Sequence, residues 1–171
     1  MDKQFGIECE KAIRFLCKSI PPAEELTKPT LFHCIRTGVY LYENGYSRDI
    51  VLAGFLHDVI EDTGLSEEDL RSEFGEKVAK LVVANSKDKT ITDSDERIES
   101  LVKQCIEYGE EALIVKAADV IDNFSYFSQI KDPKGVNYCQ RNAEAIFKQI
   151  PNSFLDKIFN SLKEEYAINE K

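Results

Sequence analysis

The chain has 171 residues, 43% of them hydrophobic and 31% charged, with a formal net charge of −9. That size and balance fit a single folded domain, since a chain of about 150 residues already hides about two-thirds of its unfolded surface. The acidic excess argues against a nucleic-acid or anionic-membrane surface, because both reward basic residues.

Periodicity predicts helix almost everywhere, and no alternating strand pattern or repeat occurs. Ile7, Ala12, Ile13, Leu16 and Ile20 recur at helical spacing over 4–19, and Pro21-Pro22 ends that segment. A second helix is predicted from Pro29 to Asn44-Gly45, and a third from a Ser47 cap to about Glu61. Gly64 breaks the chain, Ser66 with Asp69 resembles a capping box, and helices follow to Phe74 and over 76–86. Lys87–Asp93 (KDKTITD) is a polar loop. Helices are predicted over 94–108 and 110–130, with Gly109 between them, then a turn at Asp132–Gly135, then helices 137–149 and 152–166. The expectation is an all-α bundle of about 8–9 helices forming one domain over 1–171.

Cys9, Cys17, Cys34, Cys105 and Cys139 are odd in number and form no Cys-x-x-Cys pair. A disulfide framework or zinc knuckle is therefore not indicated, and a reducing compartment is. The charged N-terminal stretch lacks an apolar signal core, and no run approaches the ~18 apolar residues of a membrane span. These features predict a cytoplasmic protein with no nucleic-acid or membrane partner.

Three polar stripes interrupt this apolar pattern. GFLHDVIEDT continues the run VLAGFL yet holds His57, Asp58, Glu61 and Asp62, which fall on one patch at helical spacing. In ALIVKAADVIDNF, Lys116, Asp119 and Asn123 lie on a line apart from Leu113, Ala117, Val120, Ile121 and Phe124. The third stripe sets His33 beside Arg36 and Thr37. Each alone admits a plainer reading: a hydrogen-bonded core histidine, an Asp119–Lys116 pair, a solvated helix end. Together, two histidines and two aspartates offer an N2O2 donor set, and buried carboxylates are costly unless paired or metal-bound. Imidazole with carboxylate suits Mn, Fe, Ni, Co or Zn, with Mg open through its oxygen preference.

At this level the chain resembles the HD-domain metal-dependent phosphohydrolases, whose pattern is H…HD…D. It is most similar to the (p)ppGpp hydrolase domains of the RelA/SpoT type and their small stand-alone relatives. GFLHDVIEDT resembles that family's LLHDVxEDT, EEDLRSEFGEKVAKLV its Phe-Gly segment, and LIVKAADVIDN its LIKLADRLHN, over roughly residues 25–130. The resemblance implies His33, His57, Asp58 and Asp119 as ligands of a divalent ion, with Mn2+ favoured, in a central metal site. It implies Glu61 and Asp62 as the acids that handle the attacking water, and sets Lys116 and Asn123 near the active site. Arg36, Lys87 and Lys116 are candidate phosphate contacts. Val120, Asp122 and Ser125 stand where that family has Arg, His and Arg, which implies a weaker grip on phosphate.

The function so implied is hydrolysis of a nucleotide or related small phosphate ester, with a (p)ppGpp-like 3′-pyrophosphate the sharpest candidate. The alternatives are an HD phosphohydrolase for a deoxynucleotide or cyclic nucleotide, and a non-catalytic metal- or nucleotide-binding sensor domain. The implied partner is a phosphorylated nucleotide, and the chain is expected as a monomer or homodimer.

Overall fold

Helix is the only regular structure among the residues described by this computed structural model, which are 3–22 and 28–169. The helices sort into two compact units, residues 1–86 and 87–171. The segment of family resemblance, 25–130, begins in residues 25–27, outside those described. No described helix is long and apolar enough to cross a membrane.

The first unit holds α1 (Lys3–Ser19), α2 (Thr30–Glu43), α3 (Arg48–Leu56), α4 (Val59–Asp62), α5 (Glu67–Phe74) and α6 (Glu76–Ala84). Its hub is α3, which packs against α1, α2 and α6. Every residue of α3 from Ile50 to Leu56 is buried, as expected for a helix that is apolar all round. Arg48 ties α3 to α1 through a forked pair with Glu8, at 2.9 and 3.0 Å. The α2–α3 contact is unusually close. A methyl group at Gly38 would overlap the Phe55 ring, and one at Gly54 would overlap the Leu41 side chain, with the Gly38 Cα 3.5 Å away. Only glycine lets these two helices approach so nearly.

The second unit holds α7 (Ser94–Tyr108), α8 (Glu110–Gln129), α9 (Pro133–Gln149) and α10 (Ile158–Asn169). Here the hub is α8, packed against α7, α9 and α10, with every residue from Ala112 to Ile121 buried. Glu110, in its first turn, accepts the backbone N–H groups of Leu155 (2.5 Å) and Asp156 (2.9 Å), pinning the loop that leads into α10.

Both units use one glycine as a joint between consecutive helices. Gly75 (φ 93°) separates α5 from α6, and Gly109 (φ 134°) separates α7 from α8. Backbone at those angles is nearly closed to residues with a Cβ.

The architecture is the all-α bundle expected, and several boundaries differ. Ten helices are present among the described residues where about 8–9 were expected. The extra one arises where periodicity predicts a single helix to about Glu61: a turn at His57-Asp58 divides it. The His57 ring bonds the Gly54 carbonyl, which is the acceptor an unbroken helix would offer to the Asp58 N–H. Ser47 occupies the N-cap position of α3 but its side chain makes no cap bond. Asp132–Gly135 is no free turn. Asp132 caps α9 by accepting the Lys134 N–H at 3.0 Å, and Pro133 opens the helix, where its missing N–H costs nothing. The last helix begins at Ile158 rather than 152, because Glu110 and the Asp156 side chain claim the amides of Leu155, Asp156 and Ile158. The Ser66–Asp69 capping box is present in both halves.

Candidate metal centre

The close α2–α3 contact brings His33, on the first turn of α2, against His57, at the end of α3. Their Nε2 atoms lie 3.0 Å apart and their rings meet edge to face, with centroids 4.9 Å apart. Both rings are buried. On the far side of His57, Nδ1 is 2.8 Å from the Gly54 carbonyl. A carbonyl only accepts, so Nδ1 carries a proton, and in the neutral ring Nε2 keeps its lone pair. Asp58 brings Oδ1 to 3.4 Å from His57 Nε2 and Oδ2 to 3.7 Å from His33 Nε2. One donor atom from each of the three residues thus falls within 4.8 Å of the others.

These spacings suit a shared cation. Two ligands about 2.1 Å from one ion and at right angles to it lie about 3.0 Å from each other. A second property of the cluster agrees: it gathers lone pairs and negative charge in a buried place, an arrangement that a positive ion relieves. The Gly54 carbonyl is the outer partner that fixes ring orientation and tautomer in metal-bound histidines.

The acidic pair is next to this cluster on α4. Asp62 has its carboxyl held above the usual carboxylate range, first by burial and then by the Asp58 charge, against the opposing pull of the Thr30 hydroxyl and Lys28. A carboxylate so raised is better matched to accepting a proton near neutral pH. Lys28 approaches from the chain just before α2, its Nζ 3.1 Å from Asp58 Oδ2.

A separate cluster lies on α8. Asp119 receives Lys116 Nζ on Oδ2 at 2.9 Å and Asn123 Nδ2 on Oδ1 at 2.6 Å. All three are buried. Burial pulls the Lys116 ammonium down, but the charge of Asp119 and its hydrogen bond outweigh it and leave the pKa raised. The ammonium is therefore charged at neutral pH.

Of the residues singled out from sequence, His33, His57, Asp58, Glu61 and Asp62 fall in the first unit, and the first three converge. Lys116, Asp119 and Asn123 form their own group in the second. Arg36 is half-buried, its guanidinium 4.4 Å over the ring of exposed Phe32. Lys87 is half-buried beside Ser94, Arg97 and Tyr138. Sequence reading missed Lys28, Thr30 and the Gly54 carbonyl. The one available signal was a pair of glycines, Gly38 five residues after His33 and Gly54 three before His57, each in a run otherwise apolar.

Comparison with known proteins adds four findings. A family model described as HD domain matches residues 12–153. The guanosine-3′,5′-bis(diphosphate) 3′-pyrophosphohydrolase of Aquifex aeolicus (strain VF5) is 32% identical over 123 residues, which are 70% of this chain and 18% of that protein. The chain therefore spans less than a fifth of that relative's length. The Drosophila melanogaster protein of the same description, MESH1, is 28% identical over 131 residues, 75% of this chain and 72% of its own. A solved structure of a metazoan ortholog of SpoT, described as hydrolyzing ppGpp, matches with a TM-score of 0.71 over 98% of this chain and 96% of its own. At 21% identity that likeness speaks for the fold alone.

Proposed function

Since the chain belongs to the HD-domain family, we propose that it is a metal-dependent phosphohydrolase acting on a nucleotide with a 3′ diphosphate, of the guanosine 3′,5′-bis(diphosphate) kind. The observation that carries this reading is the convergence of His33 Nε2, His57 Nε2 and the Asp58 carboxylate, with the His57 tautomer fixed by Gly54. The names of the Aquifex and Drosophila relatives supply the substrate class. The family model runs across both units, which supports reading residues 1–171 as one HD domain.

In this proposal His33, His57, Asp58 and Asp119 hold one divalent ion, taken as Mn2+ on the family resemblance from among the ions that imidazole and carboxylate donors suit. Support for Asp119 comes from the H…HD…D pattern, which the family model spans. When bound, such an ion lowers the pKa of a coordinated water and polarises a phosphoryl oxygen. The remaining work falls to side chains. Asp62, with Glu61 beside it, accepts the proton of the attacking water. Water oxygen bonds to the phosphorus on the ribose 3′ oxygen, the bond from phosphorus to that oxygen breaks, and pyrophosphate leaves. The ribose oxygen takes up a proton, leaving a 3′ hydroxyl. Arg36, Lys87, Lys116 and Asn123 are assigned to substrate contacts. Buried reduced cysteines accord with a cytoplasmic setting.

The test is turnover of guanosine 3′,5′-bis(diphosphate), deoxynucleotides and cyclic nucleotides under saturating Mn2+ and under chelator. Metal-dependent pyrophosphate release from the first is the expected result. Turnover only of substrates without a 3′ phosphate moves the activity to another nucleotide class. Bound metal with no turnover at all favours a sensor domain. Glu61→Gln and Asp62→Asn are expected to keep the metal and lose most activity.

A further inference from the structure

We infer that Lys28 is a positioning residue for the metal centre: its ammonium holds Asp58 Oδ2 and so presents Oδ1 to the ion. This rests on the metal-binding reading above. The observation is an asymmetry in the Asp58 carboxylate. Oδ2 carries the Lys28 Nζ at 3.1 Å and lies 3.7 Å from His33 Nε2. Oδ1 makes the closer approach to an imidazole, 3.4 Å from His57 Nε2. The His57 lone pair is aimed by the Gly54 carbonyl, so Oδ1 and His57 Nε2 form the prealigned donor pair. A carboxylate free to rotate about its χ2 would exchange its two oxygens. An ammonium on one of them removes that freedom before the ion arrives.

Two features give Lys28 more than a surface role. Its side chain is only 19% exposed and its partner 10%, so the pair is screened less than an exterior one. Pro29 follows directly and restricts Lys28 to extended backbone, while the Pro29 carbonyl accepts the His33 N–H at 3.0 Å. The lysine and the first histidine are therefore held by consecutive, rigid links of the same chain segment.

A competing possibility is that a +1 charge beside the site repels the incoming ion, and the two have opposite signs. The experiment is Mn2+ titration of metal-stripped protein, reading free Mn2+ by electron paramagnetic resonance, for wild type, Lys28→Met, Lys28→Gln and Lys28→Arg. If Lys28 positions Asp58, Lys28→Met weakens Mn2+ binding by about ten- to a hundredfold, the usual loss for an outer-shell partner. Lys28→Arg, which keeps a charged donor, restores most of the affinity, and Lys28→Gln falls between. The melting temperature under chelator stays near that of wild type in all three, which separates positioning from a folding defect. Unchanged or tighter Mn2+ binding in Lys28→Met, with a folded protein, overturns the inference while leaving the metal centre intact. A wild-type protein that binds no Mn2+ overturns the metal reading and this inference together.

Discussion

The chain contains two buried clusters of nearly the same chemistry, and they are balanced in opposite ways. On α8, Asp119 receives an ammonium on one oxygen and an amide N–H on the other, all from its own helix at i−3 and i+4. At the α2–α3 contact, two imidazole nitrogens and a carboxylate point toward one another, and the Lys28 ammonium pairs with Asp58. One cluster carries its own cation at its centre. The other has three donor groups converging, with its ammonium on the Asp58 side. Which residues are buried says little about which of them bind an ion. The two clusters differ in where their ammonium stands.

The largest effect should come from removing the internal balance on α8. Asp119→Asn keeps the shape but leaves Lys116 charged and buried without its counter-charge, which costs about 3–5 kcal/mol. Urea unfolding under chelator would read this. Asp58→Asn under the same conditions should cost less, since the Lys28 ammonium left behind is 19% exposed where Lys116 is 2%. Equal losses in the two variants would break the contrast.

Next in size is the gain from adding a divalent ion. Mn2+ at about one hundred times its dissociation constant should stabilise the wild type by about 2.7 kcal/mol, and Asp58→Asn by far less. Thermal melts with and without chelator check this.

Gly38→Ala tests the frame rather than the ligands. A methyl group there meets the Phe55 ring, and overpacking of that kind costs about 1–3 kcal/mol. The same strain separates α2 from α3, so Mn2+ affinity should fall with it. Stability lost at constant affinity would show that the glycines are not what spaces His33 from His57.

The smallest expected effect is a null one. Cys105, close to Lys116 and Asp119, has its thiol pushed up to about 12, chiefly by burial. At pH 8 its thiolate fraction is about one in ten thousand, so a maleimide should label exposed Cys17 and leave Cys105 unmodified, with or without metal. Mass spectrometry of peptides after brief labelling reads the outcome.

These clusters were not equally legible in the sequence. Lys116, Asp119 and Asn123 sit on one helix, so their spacing of three and four residues announces their contact. The capping box at Ser66 and Asp69 was legible for the same reason. His33 and His57 are 24 residues apart, and their meeting depends on the Gly38–Gly54 contact, which periodicity does not encode. The break at His57-Asp58 was hidden as well. It follows from a side-chain bond to a backbone carbonyl, while the helical spacing of apolar residues continues on both sides of it. Lys28 could not be read at all, because nothing local distinguishes it from an ordinary solvated lysine; its partner lies 30 residues away.

The Glu110 carboxylate has a consequence for how the chain would exchange its amide hydrogens. Leu155 is 83% exposed, and a loop residue of that kind ordinarily swaps its N–H for deuterium within moments. Here that N–H and the next are held by a residue in the first turn of α8. Deuterium uptake at Leu155 and Asp156 thus becomes a gauge of how often the start of that helix lets go.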